Sequence, residues 1–298
     1  MRLIINTAHQ RFGGAIQVAL SFINECKNFS KNEYHVWLGD GLVNVLNKSE
    51  FPDNFYFYDF SFGVINFKTI RLIQKKLSVL EKVINPDIII STSGPTYFHS
   101  RAPQIIGYNL PLYIYPESPF VKELKFKAKL KLRLKKILHF YYFNRDAVAF
   151  VTQTDDVKER LIKAFNTKNV FTVTNTASSF YKNWKAYENK LPARMGKIFR
   201  FITVSSFYKH KNLDIIPKVL EELENQGVTN VEFVLTLKNE DFLNFIGPHK
   251  RIQNVGPIEP QECPSLYQEC DALFLPTLAE CFSASYPEAM IMGKPIIT

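Results

Sequence analysis

The chain has 298 residues, longer than the about 100–200 of one ordinary domain, so two domains are expected. Hydrophobic residues make up 46% and charged residues 22%, a globular balance that excludes a disordered tail or a fibrous repeat. The formal charge of +9 is local: eight of the 37 basic residues lie between Lys122 and Lys136 against one acid, Glu123, which excludes a whole surface built to coat nucleic acid.

A β-branched run followed by a helical pattern is the repeating unit. MRLIIN predicts a strand, and Ala15–Cys26 places Ile16, Ala19, Leu20 and Ile23 on one helix face. YHVWLG, NFYFYDF, DIIIST, QIIGYN and DAVAFVT are further strands, with helices clearest at Phe67–Ile84 and Asp156–Phe165. Unbroken apolar runs such as Asp87–Ser91 suit strands covered on both faces, as in a parallel sheet. Residues 176–198 are polar, aperiodic and contain Pro192, and they read as a linker. A second series follows: FRFITVS, a helix over Asn212–Asn225, VEFVLTL, a helix over Glu240–Phe245, and IQNVG. Pro264–Gln268 makes a short helix, ALFLP a strand, Ala284–Met292 a helix and PIIT a last strand.

The fold class expected is therefore α/β, with two doubly wound Rossmann-like domains facing across a cleft. Residues 1–178 form the N-terminal domain, 179–197 the linker and 198–298 the C-terminal domain. No apolar run reaches the roughly 18–20 residues that span a bilayer, and MRLIINTAHQRF is too short for a secretory h-region. Cys26, Cys263, Cys270 and Cys281 form no CxxC pair, so a cytoplasmic protein with reduced thiols is expected. The histidines show no metal-ligand spacing. No Asp-x-Asp occurs, which argues against a metal-dependent transferase, and no G-x-G-x-x-G follows a strand, which argues against a nicotinamide enzyme.

The stretch DALFLPTLAECFSASYPEAMIMGKPIIT carries the most chemistry. A buried strand ends in a loop holding Glu280, and a short helix follows with Glu288 in its first turn. The loop Cys281–Ser285 is mostly of small residues at a helix N-terminus, an arrangement suited to a phosphate. The Glu280–Glu288 pair, seven residues between them, resembles the donor-site motif of the GT-B retaining glycosyltransferases of family 4, the group 1 glycosyltransferases. Arg11-Phe-Gly-Gly-Ala-Ile is similar to the family's N-terminal Gly-Gly loop. Val173-Thr-Asn175 resembles the segment at the domain junction, and Ser205-Ser-Phe-Tyr-Lys-His-Lys-Asn212 resembles the phosphate-binding loop.

The resemblance implies a metal-independent, retaining transfer from a nucleotide sugar, with no cofactor, to a saccharide or lipid-linked saccharide in polysaccharide, capsule or lipopolysaccharide biosynthesis. It implies that Glu288 holds the ribose hydroxyls and that Glu280, the catalytic candidate, lies beside the donor sugar. Lys211 would neutralise the diphosphate, Phe282 and Ser283 would lie in the donor-binding loop, and Gly13 and Gly14 would let the backbone approach. The arginine usual five residues before that lysine is here Ser206, with Lys209 the substitute candidate. Each residue has a structural alternative: Ser285-Tyr-Pro-Glu288 is also a capping box, Lys211 a first-turn lysine, Glu280 a loop carboxylate, and Gly13-Gly14 a strand-to-helix turn. A catalytically silent nucleotide-sugar-binding relative is the alternative for the whole chain.

Lys122–Tyr142 predicts one helix, with Leu130, Leu134, Ile137, Leu138 and Tyr141 on one face and lysines around the rest. A solvated helix packed on the N-terminal domain is one reading. The other is a peripheral patch for the anionic inner face of the cell membrane, or an acceptor surface, carried by Lys125, Lys129, Lys131, Arg133 and Lys135. A nucleic-acid helix is disfavoured because no stacking platform accompanies it. The chain ends inside its last strand, where family members continue, so a truncated second domain is expected.

Overall fold

The computed structural model describes residues 1–11, 13–194 and 196–298, so Phe12 of the Gly-Gly loop and Met195 of the expected linker lie outside the described residues. The chain divides into two compact units, Met1–Pro116 with Leu124–Thr174, and Glu117–Glu123 with Asn175–Thr298. The boundary between Thr174 and Asn175 falls within the Val173–Asn175 segment.

Among the described residues the first unit has seven strands: β1 (Arg2–Thr7), β2 (Glu33–Leu38), β3 (Phe55–Asp59), β4 (Ile88–Ser91), β5 (Gln104–Gly107), β6 (Ala149–Thr152) and β7 (Val170–Thr172). All pair in parallel in the order β3-β2-β1-β4-β5-β6-β7. Side chains alternate across a strand, so an unbroken apolar run feeds two cores. Leu3, Ile5, Val36 and Leu38 pack with Ala19 and Ile23 on one face. Ile4 and Trp37 pack with Ile73, Leu77 and Phe98 on the other. The helix Phe67–Ile84 has the limits its periodicity predicts. Asn66 caps it by accepting from the Lys68 and Thr69 amides, each at 3.0 Å. Asn85 closes it in the left-handed region at φ 51.

The second unit has β8 (Phe199–Thr203), β9 (Val231–Leu235), β10 (Ile252–Asn254), β11 (Ala272–Phe274) and β12 (Ile296–Ile297). They too are parallel, in the order β10-β9-β8-β11-β12. Ile202, Val234, Leu273 and Leu275 face one core, with Tyr267 and Ala289. Phe233 and Leu235 face the other, with Leu213, Ile216 and Leu220. The order reverses between β8 and β11. That reversal is where doubly wound sheets place their ligands, at the strands' carboxyl ends.

Three local expectations are corrected. The single helix over Lys122–Tyr142 is two, Pro119–Glu123 and Phe126–Asp146, because Lys125 takes extended dihedrals (φ −60, ψ 151) and a new turn starts behind it. The Asn212–Asn225 helix begins as a 3₁₀ turn, Leu213–Ile215, since Asn212 is left-handed at φ 57. Within the stretch read as a linker, Ser179–Lys182 is helical, and Tyr181 and Leu191 are buried in the second unit's core.

Candidate functional site

The loops leaving β8 and β11 carry the expected residues of the second unit. After β8 the chain runs without regular structure to a 3₁₀ turn, Lys209–Lys211, which Asn212 ends. The Lys211 amide donates to the Tyr208 carbonyl at 2.8 Å, and buried Leu213 anchors the next turn. After β11, the Leu278 amide donates to the His210 carbonyl at 2.8 Å. The Thr277 hydroxyl reaches the same carbonyl at 3.3 Å. Two hydrogen bonds thus clasp the β8 loop to the β11 loop, and at that clasp the Lys211 ammonium donates to Glu280 Oε2.

Both side chains of this pair are largely shielded, 13% and 20% exposed. An ion pair removed from bulk water is worth more than a surface one, and breaking it by removing one member strands a charge. Lys211 therefore does not stand as a solvated first-turn lysine, nor Glu280 as a free loop carboxylate. Ser206 and Lys209 are exposed. Lys209 shares the 3₁₀ turn with Lys211 but does not share its burial. The His210 ring stacks on Tyr208 at 5.6 Å and meets Phe120 edge-on at 6.0 Å. Burial, then the Lys211 charge, pushes its pKa down to about 4.

Glu288 lies on the helix Ser285–Ile291, and the capping box does not form there. The N-cap is Ala284, with no side-chain cap, and the Ser285 hydroxyl turns instead to the Val204 carbonyl at 3.5 Å. The Glu288 carboxyl sits among Tyr181, Tyr267 and Cys263, whose own pKa values burial, and then its charge, raise. Burial pushes it up to about 7. The Tyr181 hydroxyl pulls the other way and more weakly, directed at the carboxylate without completing a full hydrogen bond. An acid held near neutrality is poised to change charge when a ligand arrives. Ser283 is buried, and half-buried Phe282 meets Tyr286 edge-on at 6.0 Å.

In the first unit Gly13 precedes the helix Gly14–Glu25 at φ 85, ψ −172, a conformation open to glycine almost alone. A Cβ on Gly14 would meet nothing within 4 Å. Gly13→Ala should therefore lower stability by about 1–3 kcal/mol, while Gly14→Ala should leave the melting temperature unchanged or slightly raised. If Gly14→Ala still depresses donor affinity at full stability, Gly14 serves the ligand and not the turn. Lys125, Lys129, Lys131, Arg133 and Lys135 all stand exposed on or just before the helix Phe126–Asp146.

Sequence reasoning missed Thr277, His210, Tyr181 and Tyr267. The first two act through contacts across 67 residues, and the tyrosines meet Glu288 from a segment read as linker and from a core helix. No spacing in the chain signals such pairs. It also missed the contact between the loops after β1 and β4, where Gln10 Nε2 donates to Thr92 Oγ1 at 3.0 Å and burial pushes His9 down to about 4. Among the described residues no group of three His, Cys, Asp or Glu side chains is placed to hold a metal ion.

Residues 198–298 match the family model "Glycosyl transferases group 1". Among curated proteins none matches the chain in sequence. Likeness to solved structures is one of fold. Sucrose-phosphate synthase from Thermosynechococcus elongatus aligns at a TM-score of 0.67 and 10% identity, over 99% of this chain and 80% of that one. Anabaena HepE in complex with UDP and glucose aligns at 0.62 and 15%, over 99% and 80%. A UDP-N-acetylglucosamine 2-epimerase aligns at 0.54 and 14%, over 99% and 76%. The chain thus has the α/β fold of two Rossmann-like domains with parallel sheets that these proteins of GT-B type share.

Proposed function

We propose that this chain is a retaining glycosyltransferase of family 4 that moves a sugar from a nucleotide-sugar donor to a saccharide or lipid-linked saccharide acceptor. The observation that carries the reading is the shielded Lys211–Glu280 pair at the sheet reversal of the second unit. It lies inside the region that matches the group 1 transferases. The HepE complex with UDP and glucose supports a nucleotide and a sugar as ligands of the shared fold.

In this reading Lys211 meets the diphosphate, and its positive charge stabilises the leaving group as the glycosidic bond breaks. Glu280 holds that ammonium in place and faces the donor sugar. Glu288 accepts from the ribose hydroxyls, and the loop at Phe282 and Ser283 lies along the phosphates. The departing phosphate takes the acceptor's proton on the same face, so retention needs no further base. The lysine charge serves where a metal ion serves in other transferases, and no cofactor takes part.

Exposed Ser206 and Lys209 favour one other reading, a silent relative that binds the nucleotide sugar and partners a second transferase. A panel of sugar nucleotides, assayed for binding, hydrolysis and transfer, separates the two. Turnover of one donor with its anomeric configuration kept supports the transferase. Affinity without turnover identifies the silent relative. Interconversion of a sugar nucleotide with no acceptor present would overturn both.

A further inference from the structure

The helix Phe126–Asp146 is fastened to the first unit by one face only. Phe143 is fully buried, Phe140 meets Phe165 at 4.5 Å, and His139 lies between the hydroxyls of Tyr97 and Tyr113 at 3.2 and 3.1 Å. The opposite face is also apolar. Phe126, Leu130, Leu134, Ile137, Leu138 and Tyr141 are 38–80% exposed. At 3.6 residues per turn they form one stripe, about a third of the circumference, running some 22 Å along the axis (~1.5 Å per residue). Six large apolar side chains in one exposed row are more than scattered surface residues and mark an interaction site.

The flanks of the stripe say what covers it. Lys127, Lys131 and Lys135 follow one edge, and Lys129 and Arg133 the other. No acidic residue occurs between Lys125 and Asn144. A second protein surface would have to bury this ridge inside two rows of like charge. An anionic bilayer matches both features at once, taking the apolar side chains at the headgroup boundary and the basic rows against its phosphates. No helix among the described residues is long and apolar enough to cross a membrane.

We infer that the exposed face of the helix Phe126–Asp146 is an interfacial anchor that lies in the plane of an anionic phospholipid surface. The inference stands apart from the transferase reading, because vesicle binding is measured without turnover.

The test is co-sedimentation of the full chain with phosphatidylglycerol-containing vesicles and with pure phosphatidylcholine vesicles. The chain should bind the anionic vesicles at low salt and release at about 0.5 M salt, where the Debye length falls below about 5 Å. Lys127→Gln, Lys131→Gln and Lys135→Gln together should weaken binding at least about tenfold. Leu130→Ser, Leu134→Ser and Ile137→Ser together should weaken it comparably with every charge in place, which contact with nucleic acid or a purely electrostatic film would not produce. In Leu134→Trp, the new indole's emission should shift to the blue on adding anionic vesicles. Melting curves should match the wild type throughout, because none of these side chains is in the core. Equal binding to both vesicle types, or wild-type binding by the serine variant, would overturn the inference. So would a concentration-dependent dimer that the serine variant abolishes while vesicles are ignored.

Discussion

Lys211→Ala should lower kcat/KM for sugar transfer by about 100- to 1000-fold, the range for loss of one preorganised group that stabilises developing charge. The loss should fall mainly on kcat, because the leaving diphosphate carries more charge in the transition state than in the bound donor. It should also lower stability by about 1–3 kcal/mol, since Glu280 is then left shielded without its partner. Stability loss alone would mimic a functional effect, so the neutral pair, Lys211→Met with Glu280→Gln, is the deciding variant. No charge is stranded in it, and its melting temperature should return near that of the wild type. Transfer should stay as low as in Lys211→Ala. If transfer recovers with stability, the pair holds two loops together and does nothing else.

Glu280→Gln alone should behave differently again. Nucleotide affinity should change little, because Lys211 is freed for the diphosphate, while turnover falls. Measuring affinity by titration and turnover separately shows whether the carboxylate acts on the reacting sugar or only through the lysine.

Much of this site was legible because β8 and β11 are short buried runs followed by chemistry-bearing loops, and doubly wound sheets place such loops together. The alternation that separates Leu3 and Ile5 from Ile4 was likewise implicit in an unbroken apolar run. The edge strand β7 was missed because three residues, Val170–Thr172, carry no period. The break before Phe126 was missed because Leu124 and Lys125 contain neither proline nor glycine, and only the path of the chain sets the extended backbone there. The orientation of that helix was equally hidden. It bears apolar residues on two opposite faces, and periodicity does not say which one packs. Glu288 shows the same limit at the site: its spacing from Glu280 was readable, whereas its aromatic surroundings come from residues 21 to 107 positions away.

Those surroundings give the last prediction. In the free protein Glu288 titrates at about 7 instead of 4.5, with burial the main cause. Its raised value means that the folded state holds the proton more tightly than the unfolded chain. The associated stability is fully present below the unfolded pKa near 4.5 and is lost as pH rises through 7. Glu288→Gln removes that dependence. Its melting temperature should match the wild type near pH 4 and exceed it at pH 8, by an amount equivalent to at most roughly 3 kcal/mol. Ligand binding should run the other way. Ribose hydroxyls donate to an ionised carboxylate, so donor affinity in the wild type should rise between pH 6 and pH 8, by up to about tenfold. A sugar nucleotide is the right probe, because its phosphates do not titrate in that window, whereas a free nucleoside diphosphate does. In Glu288→Gln the affinity should be weaker by about 1.5–3 kcal/mol at pH 8 and flat across the range. A variant that is more stable at pH 8, yet binds the donor as tightly as the wild type at both pH values, would show that Glu288 is a half-buried acid with no part in the site.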